Sequence, residues 1–322
     1  MGSTPEVSIL IAAWNASATL PRAVDSVLSQ SGVTFEILII DDASQDDTLK
    51  VAHRYATNFD TITAIENPVN GGPAVARNKG LAMASGRYVT VLDSDDYMDT
   101  GRLESLVELA KNHQADLLAD DLLRVDEADP DGPRSRLWSQ DPLGVQLITL
   151  EDFIAGNLTT ANGARGEMGF LKPLMRRGFL VEHTLSYDEA MRLGEDYMLY
   201  AQMLAHGAQF YLTDPKGYVA VMRAGSLSGR HSTADLGALV TADLALEHEF
   251  NLAAPERRVL RRHLTDTKKR WHWMRLIDAV KARDLRGAIN CFRGAEVSLF
   301  LLRQLAEQTV LRTCRKLGMG NG

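Results

Sequence analysis

The sequence has few cysteines and no long hydrophobic run, and both absences narrow the classes of protein to which it can belong. Only Cys291 and Cys314 are present among 322 residues. Neither lies near histidines at metal-ligand spacing, so neither a disulfide framework nor a zinc site is indicated, and a reducing compartment fits best. No uninterrupted apolar run approaches about 18 residues, so we expect no membrane-spanning helix. The N-terminus lacks a basic region, and Glu6 stands where a myristoylation motif has Ser or Thr, so neither export nor acylation is expected.

Charge is unevenly distributed along the chain. The net charge is −7 at pH 7, with 45% hydrophobic and 24% charged residues, which is typical of a globular protein. From residue 256 to the C-terminus there are 16 Lys and Arg residues and 6 Asp and Glu residues, a net charge of +10. The rest of the chain has 19 Lys and Arg residues and 36 Asp and Glu residues, a net charge of −17. The acidic part argues against nucleic acid as a partner, whereas the basic part suits an anionic lipid surface.

The glycine-rich fingerprint of dinucleotide-binding proteins is also missing, although the first part of the chain has their alternation of elements. Apolar runs at 7–14, 35–40, 61–65 and 88–92 are typical of strands, and apolar residues recur at helical spacing over 18–30, 46–56 and 74–84. This alternation indicates an α/β fold with a mostly parallel sheet flanked by helices. The first strand leads into Ala-Ala-Trp-Asn-Ala-Ser instead of Gly-x-Gly-x-x-Gly, which argues against a dinucleotide site.

Three carboxylates, Asp93, Asp95 and Asp96, directly follow the fourth predicted strand. Ligands of open α/β sheets bind at the carboxyl ends of the strands, and residues two apart on an extended chain point the same way. Asp93 and Asp95 are therefore expected to act on one ligand. Mg²⁺ or Mn²⁺ held by such carboxylates suits a diphosphate, because these cations take oxygen ligands and offset phosphate charge. The alternative is an acidic turn that caps the following helix.

Two other predicted strand ends carry polar residues. Asp41 and Asp42 end the second strand, and Asp41 is expected to face the crevice and accept hydrogen bonds from a base or ribose. Capping of the next helix is the alternative, and it is stronger for Asp42. Arg77 is a charged residue on a helix face whose other residues are small and apolar. This helix follows the turn Asn70-Gly71-Gly72. A surface salt bridge would explain Arg77 equally well, and the glycines could form a phosphate-binding nest.

The next part of the chain is predicted from its pattern alone. We expect a helix over 100–112, a strand over 116–125, a surface loop over 126–142 and a pair of strands over 210–213 and 217–222. A further helix opens at Glu195 and Asp196, where the positive end of its dipole stabilises a carboxylate. Either these residues only cap that helix, or one of them is positioned to accept a proton. Residues 223–231 are predicted to form a polar loop, for which simple solvation is the plainest interpretation.

Four segments, in this order, resemble the motifs of the GT-A-fold family 2 glycosyltransferases. They are Ser8-Ile-Leu-Ile-Ala-Ala-Trp-Asn15, Ile40-Asp-Asp-Ala-Ser-Gln-Asp46, Asn70-Gly-Gly-Pro-Ala-Val-Ala-Arg77-Asn78 and Leu92-Asp-Ser-Asp-Asp96. The resemblance extends from Val7 to about Ser228, and Glu195-Asp196 matches the family's Glu-Asp motif. Ala12, Trp14 and Ala43 depart from the usual Pro, Tyr and Gly, which affects only the expected fine shape of the nucleotide pocket. The fold implied is GT-A, a Rossmann-like and mostly parallel sheet.

This resemblance implies a role for individual residues. Those implied to hold the nucleotide are Ala12, Asn15, Asp41, Arg77 and Asp93. Asp95 is implied to hold the metal and Asp196 to be the base, with Glu195 orienting the site or the acceptor. The family often closes the diphosphate site with a loop, by which likeness Arg230 would contact the leaving group and His231 the metal.

The function implied is that of an inverting, metal-dependent glycosyltransferase that uses a UDP-sugar with Mn²⁺ or Mg²⁺. Within the family the likeness is to bacterial exopolysaccharide transferases of the succinoglycan type. That likeness implies transfer of glucose to a lipid-linked oligosaccharide by a cytoplasmic protein, peripheral on the inner face of the cytoplasmic membrane. No nucleic acid partner is expected.

Two other functions remain open at this level. A nucleotidyltransferase that makes the sugar nucleotide would use a similar sheet, but it normally has a Gly-rich, Arg-containing loop after the first strand and a Lys beyond it. Residues 12–20 contain neither Gly nor Lys. A non-catalytic scaffold of a polysaccharide assembly complex could keep the same fold, and the absence of UDP-sugar hydrolysis with manganese would favour it.

The C-terminal part is predicted to be a separate, basic helical region. We place the transferase domain at 1–232 and this region at 233–322. Its basic residues are interleaved with the aromatic cluster Trp271-His272-Trp273 and are followed by the apolar run 297–302. An interfacial helix on an anionic membrane and plain helical packing are both compatible with this pattern.

Overall fold

The computed structural model describes residues 4–158, 168–223 and 232–316, with side chains described as far as residue 310. The chain divides into two compact units, Met1–Gly229 and Arg230–Gly322. The N-terminal unit is α/β and the C-terminal unit is helical. The assignment of separate functional domains to 1–232 and 233–322 stays a prediction.

The N-terminal unit contains both strands and helices, each numbered along the chain. Its strands are β1 (Val7–Ala13), β2 (Phe35–Asp41), β3 (Ile62–Glu66), β4 (Tyr88–Val91), β5 (Tyr97–Met98), β6 (Leu117–Asp120), β7 (Leu123–Asp126), β8 (Ser135–Arg136), β9 (Val145–Ile148), β10 (Leu174–Arg176), β11 (Phe210–Thr213) and β12 (Tyr218–Met222). Its α-helices are α1 (Leu20–Leu28), α2 (Thr48–Asn58), α3 (Pro73–Met83), α4 (Arg102–His113), α5 (Leu150–Ala155), α6 (Arg177–Glu182) and α7 (Glu195–Ala205).

An eight-stranded sheet forms the centre of this unit, in the order β3-β2-β1-β4-β10-β6-β11-β9. The strands β3, β2, β1 and β4 are parallel to one another, and β10 runs antiparallel between β4 and β6. The apolar side chains of β1 and β2 are buried on both faces, as a sheet covered by helices on both sides requires. The predicted α/β fold with a mostly parallel sheet is confirmed.

A second, four-stranded sheet, β5-β12-β7-β8, was not predicted from the sequence. The predicted pairing of 210–213 with 217–222 is wrong, because β11 lies in the central sheet and β12 pairs with β5 and β7 in the second sheet. The single strand predicted over 116–125 is wrong for the same reason: it is divided into β6 and β7, one in each sheet. The predicted loop over 126–142 contributes β8.

A buried carboxylate lies where the chain passes from the central sheet to the second sheet. Asp120 ends β6, and its Oδ2 accepts hydrogen bonds from the backbone N–H groups of Lys216 (2.9 Å) and Tyr218 (3.4 Å). Its Oδ1 accepts from Nη2 (2.7 Å) and Nε (3.1 Å) of Arg102 on α4. One buried carboxylate thus links the end of the central sheet to the start of β12.

We expect Arg102→Met to lower the free energy of unfolding by about 3–5 kcal/mol, because it leaves the Asp120 charge buried without its partner. Both side chains are fully buried. Chemical denaturation measures the change. Lys111→Met is the matched control, since the Lys111–Glu6 pair is exposed and such pairs contribute about 0–1 kcal/mol. Equal, small losses for both variants would show that the buried pair does not stabilise the unit.

The C-terminal unit consists of helices, as predicted. They are α8 (Thr233–Glu249), α9 (Ala254–Lys281), α10 (Leu285–Ile289) and α11 (Ala295–Lys316). Leu276 of α9, Cys291, and Val297 and Leu301 of α11 form a small core, against which Ala288 of α10 packs. Within the described ranges, no helix is both long enough and apolar enough to cross a membrane.

Candidate active site

Several predicted site residues meet at one edge of the central sheet. Asp41 is the last residue of β2, and Asp93 lies two residues past the end of β4. Because β10 runs antiparallel to β4, the residue that precedes β10 by two positions, Lys172, lies at the same edge. The carboxyl ends of the parallel strands thus gather side chains that are far apart in the sequence, which is where ligands of such sheets bind.

Five charged side chains form one network at this edge, which we call the charged cluster. Its members are Arg77, Asp93, Lys172, Glu195 and Asp196. Arg77 Nη1 donates to Glu195 Oε1 (2.7 Å) and to Asp196 Oδ1 (3.0 Å), and its Nη2 donates to Asp93 Oδ1 (2.9 Å). Lys172 Nζ lies 2.7 Å from Asp196 Oδ2 and 3.2 Å from Asp93 Oδ2. Two cations therefore bridge three carboxylates.

Burial strengthens the electrostatics of the cluster. Only Asp93 has a substantially exposed side chain, at 33%, against 5% for Arg77 and Lys172. Burial alone would raise the pKa of Asp93, but the Lys172 ammonium and the Arg77 guanidinium lower it to about 2. Burial would lower the pKa of Lys172, but the carboxylates of Asp196 and Asp93 raise it to about 12. Asp93 is therefore ionised, and Lys172 charged, at neutral pH.

The Glu195-Asp196 pair opens α7 and is directed into the cluster. The N-cap of α7 is Gly194, whose positive φ of 83° suits glycine, so the two carboxylates occupy the first helical positions. Both are buried, with side-chain exposures of 9% and 10%. Burial is the main reason that the pKa of Glu195 is raised. Helix capping alone does not account for these residues, since their oxygens bind Arg77 and Lys172.

Arg77 is the residue whose alternative interpretation was a surface salt bridge. It is instead buried, and it contacts all three carboxylates of the charged cluster. Its guanidinium also lies over the ring of Tyr187, with 5.6 Å between the guanidinium carbon and the ring centroid. Any contact between Arg77 and a nucleotide would therefore add to an existing network, and its predicted nucleotide-binding role stays a prediction.

Asp41 and Asp42 have different environments although they are adjacent. Asp41 Oδ2 accepts from the backbone N–H of Ser44 (3.1 Å), while its buried Oδ1 has no partner in the part of the chain that the structure describes. Asp42 accepts from the backbone N–H groups of Gly71 (3.0 Å) and Gly72 (2.8 Å). These two N–H groups already bind a carboxylate of the protein, so the interpretation of the glycine turn as a phosphate nest is wrong.

The loop after β1 is fixed to the loop after β2. Asn15 has a positive φ of 49°, its Oδ1 accepts from the backbone N–H of Gln45 (2.8 Å), and its own N–H donates to Ser44 Oγ (3.0 Å). Ala12 lies in β1 opposite Ile40. Trp14 between them is 52% exposed, a flat apolar surface at the same sheet edge as Asp41. The loop is held in place by Asn15, and the Trp14 ring is exposed.

Asp95 lies beside the charged cluster and has its own partners. Its carboxylate pairs with Arg223, and its backbone oxygen accepts from Arg22. Within residues 4–158, 168–223 and 232–316, no three Asp, Glu, His or Cys side chains are close enough to form a complete metal site. A hard dication that takes one or two carboxylates together with substrate phosphates still fits the oxygen donor of Asp95. Arg230 and His231 lie outside the described residues.

The third carboxylate of this turn, Asp96, has a structural position. It is buried, and it accepts from the Tyr218 hydroxyl (2.9 Å) and from the backbone N–H of Val221 (2.9 Å), both in β12. Burial, together with the nearby Asp93 charge, raises the pKa of Asp96 to about 7. The Tyr218 hydroxyl also accepts from the backbone N–H of Asp93 (3.1 Å), which fixes that residue against the second sheet.

Lys172 was not predicted as a site residue from the sequence. The available signal was a single cation between Leu171 and Leu174 in an apolar stretch, and all three side chains are buried in the structure. Its backbone oxygen accepts from Arg102 Nη2 (2.8 Å), so the buried Arg102–Asp120 pair also positions Lys172. A buried lysine needs carboxylate partners, and here they are Asp93 and Asp196.

Comparison with known proteins gives consistent matches. The family model described as "Glycosyl transferase family 2" matches residues 8–179. Succinoglycan biosynthesis protein ExoU of Rhizobium meliloti is 38% identical over 85% of this chain and 78% of its own length. Succinoglycan biosynthesis protein ExoO of the same organism is 32% identical over 97% of this chain and 87% of its own length.

Two solved structures share the fold at low sequence identity. S. aureus TarS 1-349, in complex with UDP-GlcNAc, has a TM-score of 0.60 and 18% identity, over 89% of this chain and 90% of that one. The mannosyltransferase PcManGT from Pyrobaculum calidifontis, in complex with GDP-Man and Mn²⁺, has a TM-score of 0.57 and 15% identity. The match covers 98% of this chain and 84% of that one.

Proposed function

The chain belongs to glycosyl transferase family 2, and from that premise we propose that it transfers a hexose, with glucose expected, from a UDP-sugar to a lipid-linked oligosaccharide. Family membership makes it a glycosyltransferase and sets aside synthesis of the sugar nucleotide. The two succinoglycan biosynthesis proteins among its relatives support exopolysaccharide biosynthesis as the setting. The observation on which the proposal depends is the charged cluster at the carboxyl edge of the central sheet.

Asp196 is the residue that we propose as the base. Transfer to a hydroxyl requires a group that accepts the hydroxyl proton, and a positioned carboxylate can do so. Each Asp196 oxygen binds one cation of the cluster, Arg77 at Oδ1 and Lys172 at Oδ2. A carboxylate oxygen has two lone pairs, so an acceptor hydroxyl can hydrogen-bond to Asp196 without displacing either cation. The two cations then fix the direction from which the hydroxyl approaches.

The donor nucleotide is proposed to lie along the ends of β1, β2 and β4. The buried Oδ1 of Asp41, which has no partner among the described residues, is an acceptor for a base N–H or a ribose hydroxyl. Trp14 offers an exposed ring against which a base can stack. Ala12 near the end of β1 and Asn15 in the loop after it would shape the nucleotide site through their backbone. Asp93 would lie at the diphosphate end of this site.

The diphosphate is proposed to be bound together with Mn²⁺ or Mg²⁺ at Asp95. Such a cation, when bound, offsets the charge that develops on the departing diphosphate. Arg223 already forms an ion pair with the Asp95 carboxylate, so a cation at this position must share Asp95 or displace Arg223. Nucleophilic attack opposite the leaving group, with inversion at the anomeric carbon, is the mechanism we propose.

A thermal-shift screen of UDP-sugars in the presence of Mn²⁺ tests this function. A donor at about 100 times its Kd stabilises the folded protein by about 2.7 kcal/mol, so the Tm should rise by several degrees. We expect UDP-glucose to give the largest shift and EDTA to reduce it. Asp41→Asn should weaken this shift, while Asp60→Asn, which changes an exposed carboxylate that precedes β3 at the opposite sheet edge, should not.

The screen also separates the proposal from its alternatives. A shift given only by sugar nucleotides of another base would contradict the UDP donor. UDP binding without any turnover of the donor, in the presence of manganese, would favour the non-catalytic scaffold.

A further inference from the structure

The C-terminal unit exposes aliphatic side chains at the turn between its long helices. This segment, residues 280–293, contains the end of α9, the short helix α10 and the residues that lead into α11; we call it the basic turn. Val280, Leu285 and Ile289 are 63%, 79% and 72% exposed. Three large aliphatic side chains at such exposure in one short segment indicate a surface that is covered by a partner.

The packing of α10 explains why these side chains face outward. Ala288 and Phe292 pack against the core formed by Leu276, Cys291, Val297 and Leu301, so this side of the turn is buried. Leu285 and Ile289 are four residues apart and share the other side of α10. The backbone of the turn is fixed, since Asp284 caps α10 by accepting from the backbone N–H of Gly287. The aliphatic side chains are therefore presented by an ordered element.

The charge of the basic turn identifies the kind of partner. Its charged residues are Lys281, Arg283, Asp284, Arg286 and Arg293. The basic turn thus has four cations and one carboxylate, and that carboxylate already caps α10. All four cations are exposed. Cations interspersed with exposed aliphatic residues are the pattern of a surface that lies on anionic lipid, where the cations remain at the headgroups and the aliphatic side chains enter the acyl boundary.

We propose that the basic turn binds the anionic surface of a lipid bilayer, with Leu285 and Ile289 inserted and Lys281, Arg283, Arg286 and Arg293 at the headgroups. This deepens the proposed function, since a lipid-linked acceptor lies at such a surface, but the binding itself does not depend on catalysis. Leu299 and Leu302 on α11 are also exposed and belong to the same unit.

Cosedimentation with vesicles of phosphatidylcholine, with and without about 30 mol% phosphatidylglycerol, tests this surface. We expect the full-length protein to bind the anionic vesicles and to be released when NaCl is raised from about 0.1 M to about 1 M, which shortens the screening length from about 10 Å to about 3 Å.

Leu285→Asp with Ile289→Asp should weaken binding at least about tenfold. Lys281→Gln with Arg286→Gln should weaken it about 25-fold on anionic vesicles only, at about fivefold per cation.

A matched pair of substitutions controls for general loss of surface hydrophobicity. Leu147→Asp with Val181→Asp changes two exposed aliphatic residues of the N-terminal unit and should leave vesicle binding unchanged. The proposal is overturned if the wild-type protein does not bind anionic vesicles, or if the variants of the basic turn bind them as the wild type does. A concentration-dependent dimer that is lost in the Leu285→Asp, Ile289→Asp variant would instead identify a second copy of the chain as the partner. Donor binding in the thermal-shift screen reports separately on the proposed function.

Discussion

Asp196→Asn is expected to reduce sugar transfer by about 10²- to 10⁴-fold while UDP-sugar binding stays unchanged. The amide retains the size of the side chain and one oxygen to accept from Arg77 or Lys172, but it cannot take the proton of the acceptor hydroxyl. The expected loss is that of removing a general base. Single-turnover transfer measures the chemical step, and the thermal shift with the donor measures binding.

The control for this substitution must separate proton transfer from disruption of the charged cluster. Asp196 binds both cations, so a changed cluster would also change the Tm of the ligand-free protein. Asp60→Asn provides the comparison for an exposed carboxylate distant from this edge. Retained transfer in Asp196→Asn would remove Asp196 from the role of base, whatever its effect on stability.

Asp95→Asn is expected to abolish the dependence of donor binding on Mn²⁺ and to reduce transfer by about 10²- to 10⁴-fold. A metal that stabilises the leaving diphosphate contributes several kcal/mol to the transition state, and a neutral amide is a poor ligand for it. Titration of UDP with and without Mn²⁺ measures the first effect. Asp99→Asn changes a nearby carboxylate, directly after β5, that is paired with Arg134 and 40% exposed, and it is the matched control. An unchanged manganese effect in Asp95→Asn would place the metal elsewhere.

The edge at which the site lies could be predicted from the sequence because it depends on local pattern. Runs of buried apolar residues give the parallel strands, and the carboxylates that follow those runs must then lie at the carboxyl edge. Asp41 and Asp93 are found there as expected. The helix with Glu195 and Asp196 at its start was also predicted, since the apolar residues after them recur at helical spacing.

The contacts within the site could not be predicted in the same way. Arg77 and Glu195 are 118 positions apart, and no local pattern pairs them. The role of Lys172 depends on the insertion of β10 between β4 and β6, which reverses the local strand direction and brings the residue to the edge. The segment 116–125 is divided between two sheets at the buried Arg102–Asp120 pair, whose partners lie in different elements. These are tertiary effects on segments whose local pattern permitted several structures.

A structure of the protein with UDP and Mn²⁺ bound would test most directly whether this edge is the active site. We expect the cation to bind the Asp95 carboxylate and the diphosphate together, with the base beside Asp41. The diphosphate should lie next to Asp93, on the Asp196 side of the charged cluster. A nucleotide bound away from the carboxyl edge of the sheet would contradict this prediction. So would a bound diphosphate with the Asp95–Arg223 pair intact and no cation beside it.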